Sequence, residues 1–477
     1  MSQPVMSIRD QMSHVYDESK TIHALPLDIL YTVFHLATES EPHFSIVLSH
    51  CCLRWRHFAI NTPSLWTTIS FVKPREYMHR KGGAPAQNAS PDFAKQRAYL
   101  ARSQDLLIDV IIGLEWPIFK QSRNYRFFIS FSPRALSHIM KIILPHIDRW
   151  KVFKVHSITH KGCRTIFDRL ITLHAPNLET LDAEIPRGYG NRWRFRPFKQ
   201  GQGVPRLRNL RVGFGVGMNQ WTGSLFSSLT TLTLSHVDDE YHPNSNTIIP
   251  LLSRNIRLQS LTLNITLYSF DETHFDPLHP TLLTLPFLHT ICLGSDEDKP
   301  YTDLRREMAV LLLSLDLPAL TTLVPSTFAD RSLQILIAMP SLSFKKLQDI
   351  CIMSPDCTKD IYNTLIQLQS LHSLTIASYF QQSDLYDWST DVIQPLCTMF
   401  PDLRKLGLIK YSTDDIPGNV TLSPTDIFRR IYTARSTASD LSNIESFNVG
   451  YGQVSEEDLV WLKDKNVNFI SRDIPEF

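Results

Sequence analysis

The sequence predicts a mixed α/β protein, in which a short all-helical module precedes a long solenoid of strand–helix repeats. Two patterns predict this fold. Apolar residues at helical spacing fill residues 22–72, and one short leucine pattern returns throughout residues 101–473. Of the 477 residues 43% are hydrophobic and only 20% are charged, which is enough apolar surface for a large core. Residues 1–21 are expected to form a polar tail, and residues 73–100 a linker with a connecting helix.

The repeated pattern is L-x-x-L-x-L, with other aliphatic residues allowed at the leucine positions. Its alternation predicts a strand that points its apolar side chains inward. Ten copies between Leu178 and Ile444 recur about every 30 residues. The clearest copies start at Leu229, Leu258, Leu288, Leu347, Leu371 and Leu403, and weaker copies start at Leu107, Trp150, Leu178, Leu207, Leu320 and Ile444.

Helix-start signals lie between some of these copies. Ser423 is placed to cap a helix with Pro424 in its first turn, and Ser455 with Asp458 resembles a capping box. A unit of one strand and one helix cannot bury its apolar face alone, so neighbouring units must stack. The pattern therefore predicts a curved solenoid.

This repeat resembles that of the leucine-rich repeat family. Regular members follow the strand with Asn or Cys, whose side chain satisfies backbone groups in the turn. Here the equivalent positions are Val237, Thr266, Asp296, Pro355, Tyr379 and Tyr411. The resemblance therefore implies an irregular leucine-rich repeat solenoid, with variable turns and long insertions.

The segment before the repeats has the apolar spacing of two or three helices. Ile29, Leu30, Val33, Phe34 and Ala37 recur at intervals of three and four residues. A proline and an aspartate precede them, as is favoured in the first turn of a helix. A segment of roughly 50 residues buries its apolar surface poorly when alone, so this module needs a partner.

The motifs of this module resemble the F-box of many fungal proteins. They are L-P-x-D-I-L-x-x-V-F, then L-S-x-C-C-x-R-W-R-x-x-A, then P-S-L-W, in that order within residues 22–69. One departure is Cys51, which stands where valine is usual. F-box proteins dock on a small Skp-type adaptor that joins them to a cullin scaffold, and they select the substrate of a ubiquitin ligase.

The resemblance implies a role for each matching residue. The implied adaptor-binding residues are Leu25, Pro26, Ile29, Leu30, Val33, Phe34 and Leu48, whereas Trp55, Leu65 and Trp66 are expected in internal packing. A second interpretation stays open, in which the module is a plain helical cap that shields the first solenoid unit. The two interpretations are compatible.

Charge and composition exclude several classes of partner. The 48 Lys and Arg against 47 Asp and Glu leave a net charge of +1, so counterion-driven binding of nucleic acid is not expected. The N-terminus lacks a secretory signal, and the longest apolar run, residues 308–320, is too short to span a membrane. Seven scattered cysteines without a C-x-x-C pair are typical of a reducing compartment. We therefore expect a cytoplasmic or nuclear protein without nucleic-acid or membrane partners.

Motifs that carry chemistry are absent from the sequence. It lacks G-x-S-x-G, H-E-x-x-H, a Walker-type G-K-[ST] and an EF-hand loop. The histidine pairs His156/His160 and His274/His279 have no thiol or carboxylate companions at metal-ligand spacing, and Cys351 and Cys357 are expected in the core and not on a metal. The protein is therefore expected not to be an enzyme and to need no cofactor or metal.

The positions that alternate with the leucines predict a bland concave face. In four clear copies they are small and mostly uncharged, namely Thr231, Thr233, Ser235, Ser260, Thr262, Asn264, Thr290, Cys292, Gly294, Ser373, Thr375 and Ala377. Such a face provides little charge with which to select a partner.

Positive charge is concentrated instead in residues 186–203, directly after a predicted strand. Arginine forks interleaved with aromatic rings suit acidic or phosphorylated peptides, with RNA as a second possibility. The predicted substrate-binding residues are Arg187, Arg192, Trp193, Arg194, Arg196 and Lys199. The alternative is a structural insertion, whose aromatic side chains pack on the solenoid while its arginines stay in water.

These observations together predict a non-catalytic substrate-recognition adaptor of a Skp–cullin–F-box ubiquitin ligase, whose solenoid binds an unknown target protein. The alternative function is a leucine-rich repeat interaction scaffold, in which the F-box-like segment is only a helical cap.

Overall fold

A computed structural model describes residues 25–41, 43–71, 93–113, 131–156, 160–184, 198, 203–213, 226–235, 245–264, 282–294, 311–312, 314–325, 346–353, 368, 370–379, 400–411, 424–438, 441–450 and 454–472. Within these ranges there are nine α-helices and sixteen strands, so the predicted mixed α/β class is confirmed. None of the helices in these ranges is both long and apolar enough to cross a membrane.

Three helices are clustered at the N-terminal end, and six more are distributed along the rest of the described chain. They are α1 (Leu27–Ser40), α2 (Phe44–Cys51), α3 (Leu53–Ile60), α4 (Ala94–Arg102), α5 (Pro133–Ile143), α6 (His160–Leu170), α7 (Ser245–Arg254), α8 (Pro424–Ser436) and α9 (Glu456–Asp464). Two short 3-10 helices, Pro63–Trp66 and Leu144–Arg149, directly precede strands.

Fourteen of the described strands form one open, entirely parallel sheet, in which neighbours follow one another in chain order. They are β1 (Thr68–Phe71), β2 (Ile108–Ile112), β3 (Trp150–Val155), β4 (Thr180–Glu184), β5 (Asn209–Gly213), β6 (Thr231–Ser235), β7 (Ser260–Asn264), β9 (Thr290–Gly294), β11 (Thr322–Pro325), β12 (Asp349–Met353), β13 (Ser373–Tyr379), β14 (Lys405–Tyr411), β15 (Ser446–Gly450) and β16 (Asn468–Arg472). Two further short strands, β8 (Leu283–Thr284) and β10 (Leu315–Asp316), pair separately and also in parallel.

Each of the twelve predicted copies of the leucine pattern forms a strand of this sheet, which confirms the repeat. In β6 the residues Leu232 and Leu234 are buried, whereas Thr231, Thr233 and Ser235 are half-buried. We call the side of the sheet that carries Thr231, Thr233 and Ser235 the polar face. Cross-strand register places buried residues beside buried residues and polar-face residues beside polar-face residues, since Leu232 pairs with Leu261 of β7 and Thr233 with Thr262.

A short turn that the sequence analysis missed leads into many of these strands. An N–H of the first pattern residue donates to the carbonyl three residues earlier, as in Leu178 to Ala175 at 3.2 Å and Leu403 to Phe400 at 3.2 Å. Proline follows the acceptor at Pro176, Pro205, Pro286, Pro318 and Pro401. Its fixed φ suits the second position of such a turn, which explains part of the high proline content.

The outermost strands were also missed. β1 lies inside the segment that was predicted to be all-helical, and it pairs with β2 through Thr68 and Asp109. Trp66, Ile69 and Phe71 have the spacing of the weak copy at Trp150, but this copy was not recognised because it directly follows the helical motifs. The sheet therefore begins within residues 22–72, and the buried side chains form one continuous cluster from Leu30 to Val467.

Two predicted helix starts are confirmed near the C-terminal end. Helix α8 begins at Pro424, and Phe428 and Ile431 lie in its buried side. In α9 the hydroxyl of Ser455 accepts a hydrogen bond from the N–H of Asp458, whose carboxylate accepts one from the N–H of Ser455. Both backbone donors are satisfied by local side chains, which is why a local pattern predicted this helix start.

Candidate functional site

Three short helices build the N-terminal module. Helix α1 starts directly after Pro26 and carries Asp28 in its first turn, where a carboxylate favours the helix N-terminus. Cys52 separates α2 from α3, because its backbone is extended (φ −156°, ψ 169°) and its Sγ accepts a hydrogen bond from the N–H of Trp55 at 3.4 Å. The sequence allowed two or three helices, and the structure has three.

The interior of this module is aromatic. The ring of Phe34 lies edge-on to Trp55 and Phe58, with centroids 4.9 and 5.6 Å apart. Leu65 and Trp66 are buried, which confirms that they pack internally, and Trp55 is half-buried against the same core. The interior of the module is therefore the N-terminal part of the continuous buried cluster.

The structure divides the predicted adaptor-binding residues into two groups. Ile29 and Val33 are 45% and 47% exposed, Pro26 is exposed and Leu25 is half-buried. The remaining residues, Leu30, Phe34 and Leu48, are no more than 1% exposed. A partner cannot contact these three without unfolding the module, so they belong to its core and not to its surface.

Other apolar side chains on the module are exposed although the sequence analysis did not select them. They are Leu27, Tyr31, Leu36, Val47, Leu53 and Ile60, with Leu53 exposed to 83%. On α1, Ile29, Val33 and Leu36 are separated by four and three residues, which places them in one stripe beside the buried stripe of Leu30 and Phe34. We call Ile29, Val33 and Leu36 the apolar stripe.

The module is joined to the start of the sheet by a buried junction. The hydroxyls of Ser45 and Tyr99 lie 2.7 Å apart, and the Tyr99 ring is edge-on to Trp66 at 4.9 Å. Trp66 Nε1 donates to the carbonyl of Ala59 at 2.7 Å, and the Arg102 guanidinium lies 4.3 Å from the Trp66 ring. Residues from α2, α3 and α4 are thus tied together directly beside β1.

The expectation of a bland face holds for β6, β7 and β9 but not for the preceding strands. Cross-strand register places Lys154 of β3, Asp182 of β4 and Arg211 of β5 side by side on the polar face, next to Thr233 of β6. His156 Nε2 lies 3.3 Å from Asp182 Oδ2, and Arg211 Nε lies 3.9 Å from Asp182 Oδ1. We call Lys154, His156, Asp182 and Arg211 the charged patch.

Sequence reasoning missed this patch because the three strands belong to weak copies of the pattern. Its only available signal was that charged residues occupy the same position of successive copies. Asp109 on β2 lies nearby, and burial raises its pKa, a shift that Glu179 increases and that the charges of Lys151 and Lys154 oppose. The N-terminal strands of the sheet therefore carry mixed charge on their polar face.

Two cysteine thiols on the polar face have raised pKa values. Burial raises the pKa of Cys292, although a hydrogen bond with Thr262 opposes the shift. Burial and the proximity of Cys292 raise the pKa of Cys351 to about 12. Both groups therefore stay protonated near neutral pH, which makes them poor nucleophiles. In the described part of the chain no three His, Cys, Asp or Glu side chains cluster as a metal site would require.

The predicted substrate-binding residues Arg187, Arg192, Trp193, Arg194, Arg196 and Lys199 lie outside the described residues. One aromatic residue of that segment, Phe198, is described. Its side chain is fully buried, and its N–H donates to the carbonyl of Leu170 at 3.0 Å. This placement agrees with the alternative in which aromatic residues of the segment pack on the rest of the protein.

No protein-family model matches the chain, and a search of curated proteins also gave no match. Among the described residues, the features that bear on function are the apolar stripe, the junction and the charged patch.

Proposed function

We propose that the protein is a non-catalytic substrate-recognition subunit of a ubiquitin ligase, which binds a Skp-type adaptor and, through it, a cullin scaffold. The observation that carries this proposal is the apolar surface left exposed by α1, α2 and α3. It occurs in the segment whose motifs resemble the F-box. Several large apolar side chains exposed on one small module are typical of a protein–protein interface.

The adaptor-binding surface is revised according to burial. Pro26, Ile29 and Val33 remain in it, and Leu25 lies at its edge. Leu27, Leu36, Val47 and Leu53 are added because they are apolar and exposed. The buried residues Leu30, Phe34 and Leu48 support this surface from beneath, so changing them would act through folding.

The proposal includes an irregular leucine-rich repeat solenoid that binds the target protein. Support comes from the chain-order parallel sheet and from a close approach between β13 and β14. A Cβ placed on Gly407 would lie 3.1 Å from the Cβ of Thr375, well below the roughly 4.8 Å between strands. Glycine at this position allows the two strands to approach closely on the polar face, as a concave polar face would require.

A second candidate function is a scaffold whose helical module only caps the sheet. The junction of Ser45, Tyr99 and Trp66 favours it, because these residues bury part of the module directly beside β1. The apolar stripe does not take part in that junction, and a cap gives no reason for its exposure. The ligase subunit is therefore the better explanation of the surface.

Co-purification tests the proposal. The full chain, co-expressed with a Skp-type adaptor and a cullin, should capture both. The double variant Ile29→Glu, Val33→Glu should weaken adaptor affinity by more than about tenfold, since it places two charges in the centre of an apolar interface. Because both side chains are exposed, the thermal unfolding temperature should change little.

Ile256→Glu is the matched control, because Ile256 is 52% exposed in the turn before β7 and lies outside the module. It should leave adaptor affinity unchanged. Failure of the wild-type chain to bind adaptor, or equal affinity of the double variant, would refute the proposed function. A double variant that instead lowers the unfolding temperature strongly would favour the cap.

A further inference from the structure

The charged patch occupies a defined place on the polar face of β3, β4 and β5. Asp182 is 8% exposed and sits between Lys154 and Arg211 in register. In the neighbouring row, the residues of these three strands are uncharged, and Asn209 Nδ2 donates to Thr180 Oγ1 at 3.2 Å. Asp109 of β2 extends that row on its β3 side. Lys154, Asp182 and Arg211 therefore form a row of cation, acid and cation, and the adjacent positions of β4 and β5 carry a hydroxyl and an amide group.

Arg211 is an exposed arginine with an ion-pair partner on the neighbouring strand. Its Nε faces Asp182 Oδ1, while its side chain as a whole is 49% exposed. Among the described residues, the Asp182 ion pair is the one polar partner recorded for this guanidinium. A guanidinium that is held on its Nε side keeps both terminal nitrogens for a second, bidentate acceptor.

Asp182 is well placed to orient this guanidinium. The side-chain atoms of Asp182 are 12% exposed, compared with 8% for the whole residue, and His156 Nε2 lies 3.3 Å from Asp182 Oδ2. His156, directly after β3, therefore contacts one carboxylate oxygen, whereas Arg211 of β5 faces the other oxygen, Oδ1, at ion-pair distance without a hydrogen bond, and among the described residues Oδ1 has no hydrogen-bond partner. Lys154 lies on β3, two strands away from Arg211 on β5. Two strand spacings correspond to about 10 Å, so one ligand can reach both side chains.

We propose that Arg211, oriented by Asp182, binds a carboxylate side chain of the target protein, and that Lys154 supplies a second positive charge to the same acidic segment. This inference rests on the proposed function, in which the polar face binds the target, and it names the chemistry of that contact. Two nearby acidic residues, Asp109 and Glu179, carry negative charge that opposes a purely long-range attraction of an acidic ligand. Recognition therefore depends on the geometry of the Arg211 fork.

Fluorescence anisotropy with the full chain tests the inference. The probes are a short labelled peptide rich in Asp and Glu, its Asn and Gln counterpart, and a phosphoserine counterpart. The acidic peptide should bind, and Arg211→Gln should weaken its binding at least about tenfold, as the loss of charge-assisted hydrogen bonds requires. Lys154→Gln should weaken it by less, because a flexible ammonium makes a less specific contact.

The matched control is Arg208→Gln, which removes the same charge from an exposed residue just before β5. Its affinity should equal that of the wild type. If Arg208→Gln weakens binding as much as Arg211→Gln does, the attraction is unspecific and the inference is wrong. Binding of the phosphoserine peptide without binding of the carboxylate peptide would also overturn it.

The variant Asp182→Asn shows whether Asp182 orients Arg211 or only repels the acidic peptide, because the two roles change the peptide affinity in opposite directions. If Asp182 orients Arg211, the variant should bind the acidic peptide more weakly than the wild type, although it has one negative charge less. Tighter binding by Asp182→Asn would refute the inference, since it would show that Asp182 only repels the ligand. Adaptor capture, scored separately on the same variants, should be unchanged, so failure of either proposal is recognised independently of the other.

Discussion

Replacing Arg435 should destabilise the C-terminal strands of the sheet. This side chain is fully buried near the end of α8. Its Nη2 lies 2.8 Å from the carbonyl of Phe400, 3.2 Å from that of Leu403 and 2.9 Å from that of Ser442, and its Nε donates to Ser442 at 3.2 Å. Arg435 therefore links the turn before β14 to the segment before β15.

The size of the effect follows from these contacts. Charge-assisted hydrogen bonds contribute about 1.5 to 3 kcal/mol each. When the guanidinium is removed, the carbonyls of Leu403 and Ser442 lose this donor, whereas that of Phe400 keeps the N–H of Leu403. For Arg435→Met, which keeps much of the volume, we expect a loss of about 3 to 5 kcal/mol in the free energy of local unfolding. Arg435→Lys should recover part of it, because an ammonium retains the charge but not the planar fork.

Hydrogen exchange of the backbone amides is the appropriate assay, since strands of a long sheet can open locally. The amides of β14 and β15 should exchange about 100-fold faster or more in Arg435→Met, whereas those of β2 and β3 should be unaffected. Arg430→Met, an exposed arginine of the same helix, is the control and should exchange like the wild type. Wild-type exchange in Arg435→Met would refute this account of the buried guanidinium.

Two further predictions concern single positions on the polar face. Gly407→Val should cost about 1 to 3 kcal/mol of unfolding free energy in chemical denaturation, because its side chain would collide with Thr375, and adding Thr375→Ala should recover part of that cost; no recovery would contradict the contact. Asp109→Asn should raise stability at neutral pH, because burial raises the pKa of Asp109 and disfavours its charged form, and the gain should disappear at pH well below the ordinary value of 3.8, where both states are protonated. A gain that is equal at both pH values would contradict the burial argument.

The strands could be predicted from sequence because their signal is local. Alternation over six residues predicts which side chains turn inward, and it did so even for weak copies such as those at Trp150 and Leu320. β1 was not predicted because its copy of the pattern directly follows helical motifs, and β16 because polar Asn466 and Ser471 stand at the first and last positions of the pattern. The turns that contain Pro176 and Pro401 were not predicted. In each turn the accepting carbonyl lies three residues before the donating N–H, outside the alternating pattern.

The candidate sites could be predicted only in part. Ile29 and Val33 and their neighbours Leu30 and Phe34 are all apolar, so helical spacing identifies two adjacent stripes without deciding which one is buried. Packing of Phe34 against Trp55 decides it. The burial of an apolar side chain depends on which element covers it, and that element is distant in sequence.

By itself the sequence determined the mixed α/β class, the twelve central strands and the helix starts at Pro424 and Ser455, since each depends on residues within one turn or one strand. The tertiary structure alone decided that Lys154, Asp182 and Arg211 meet on one face, and that Arg435 is buried on carbonyls of other segments. Charged side chains are exposed by default, and only cross-strand register or a distant acceptor specifies where their charges are paired. Such pairings are contacts between segments far apart in the chain, so no local pattern contains them.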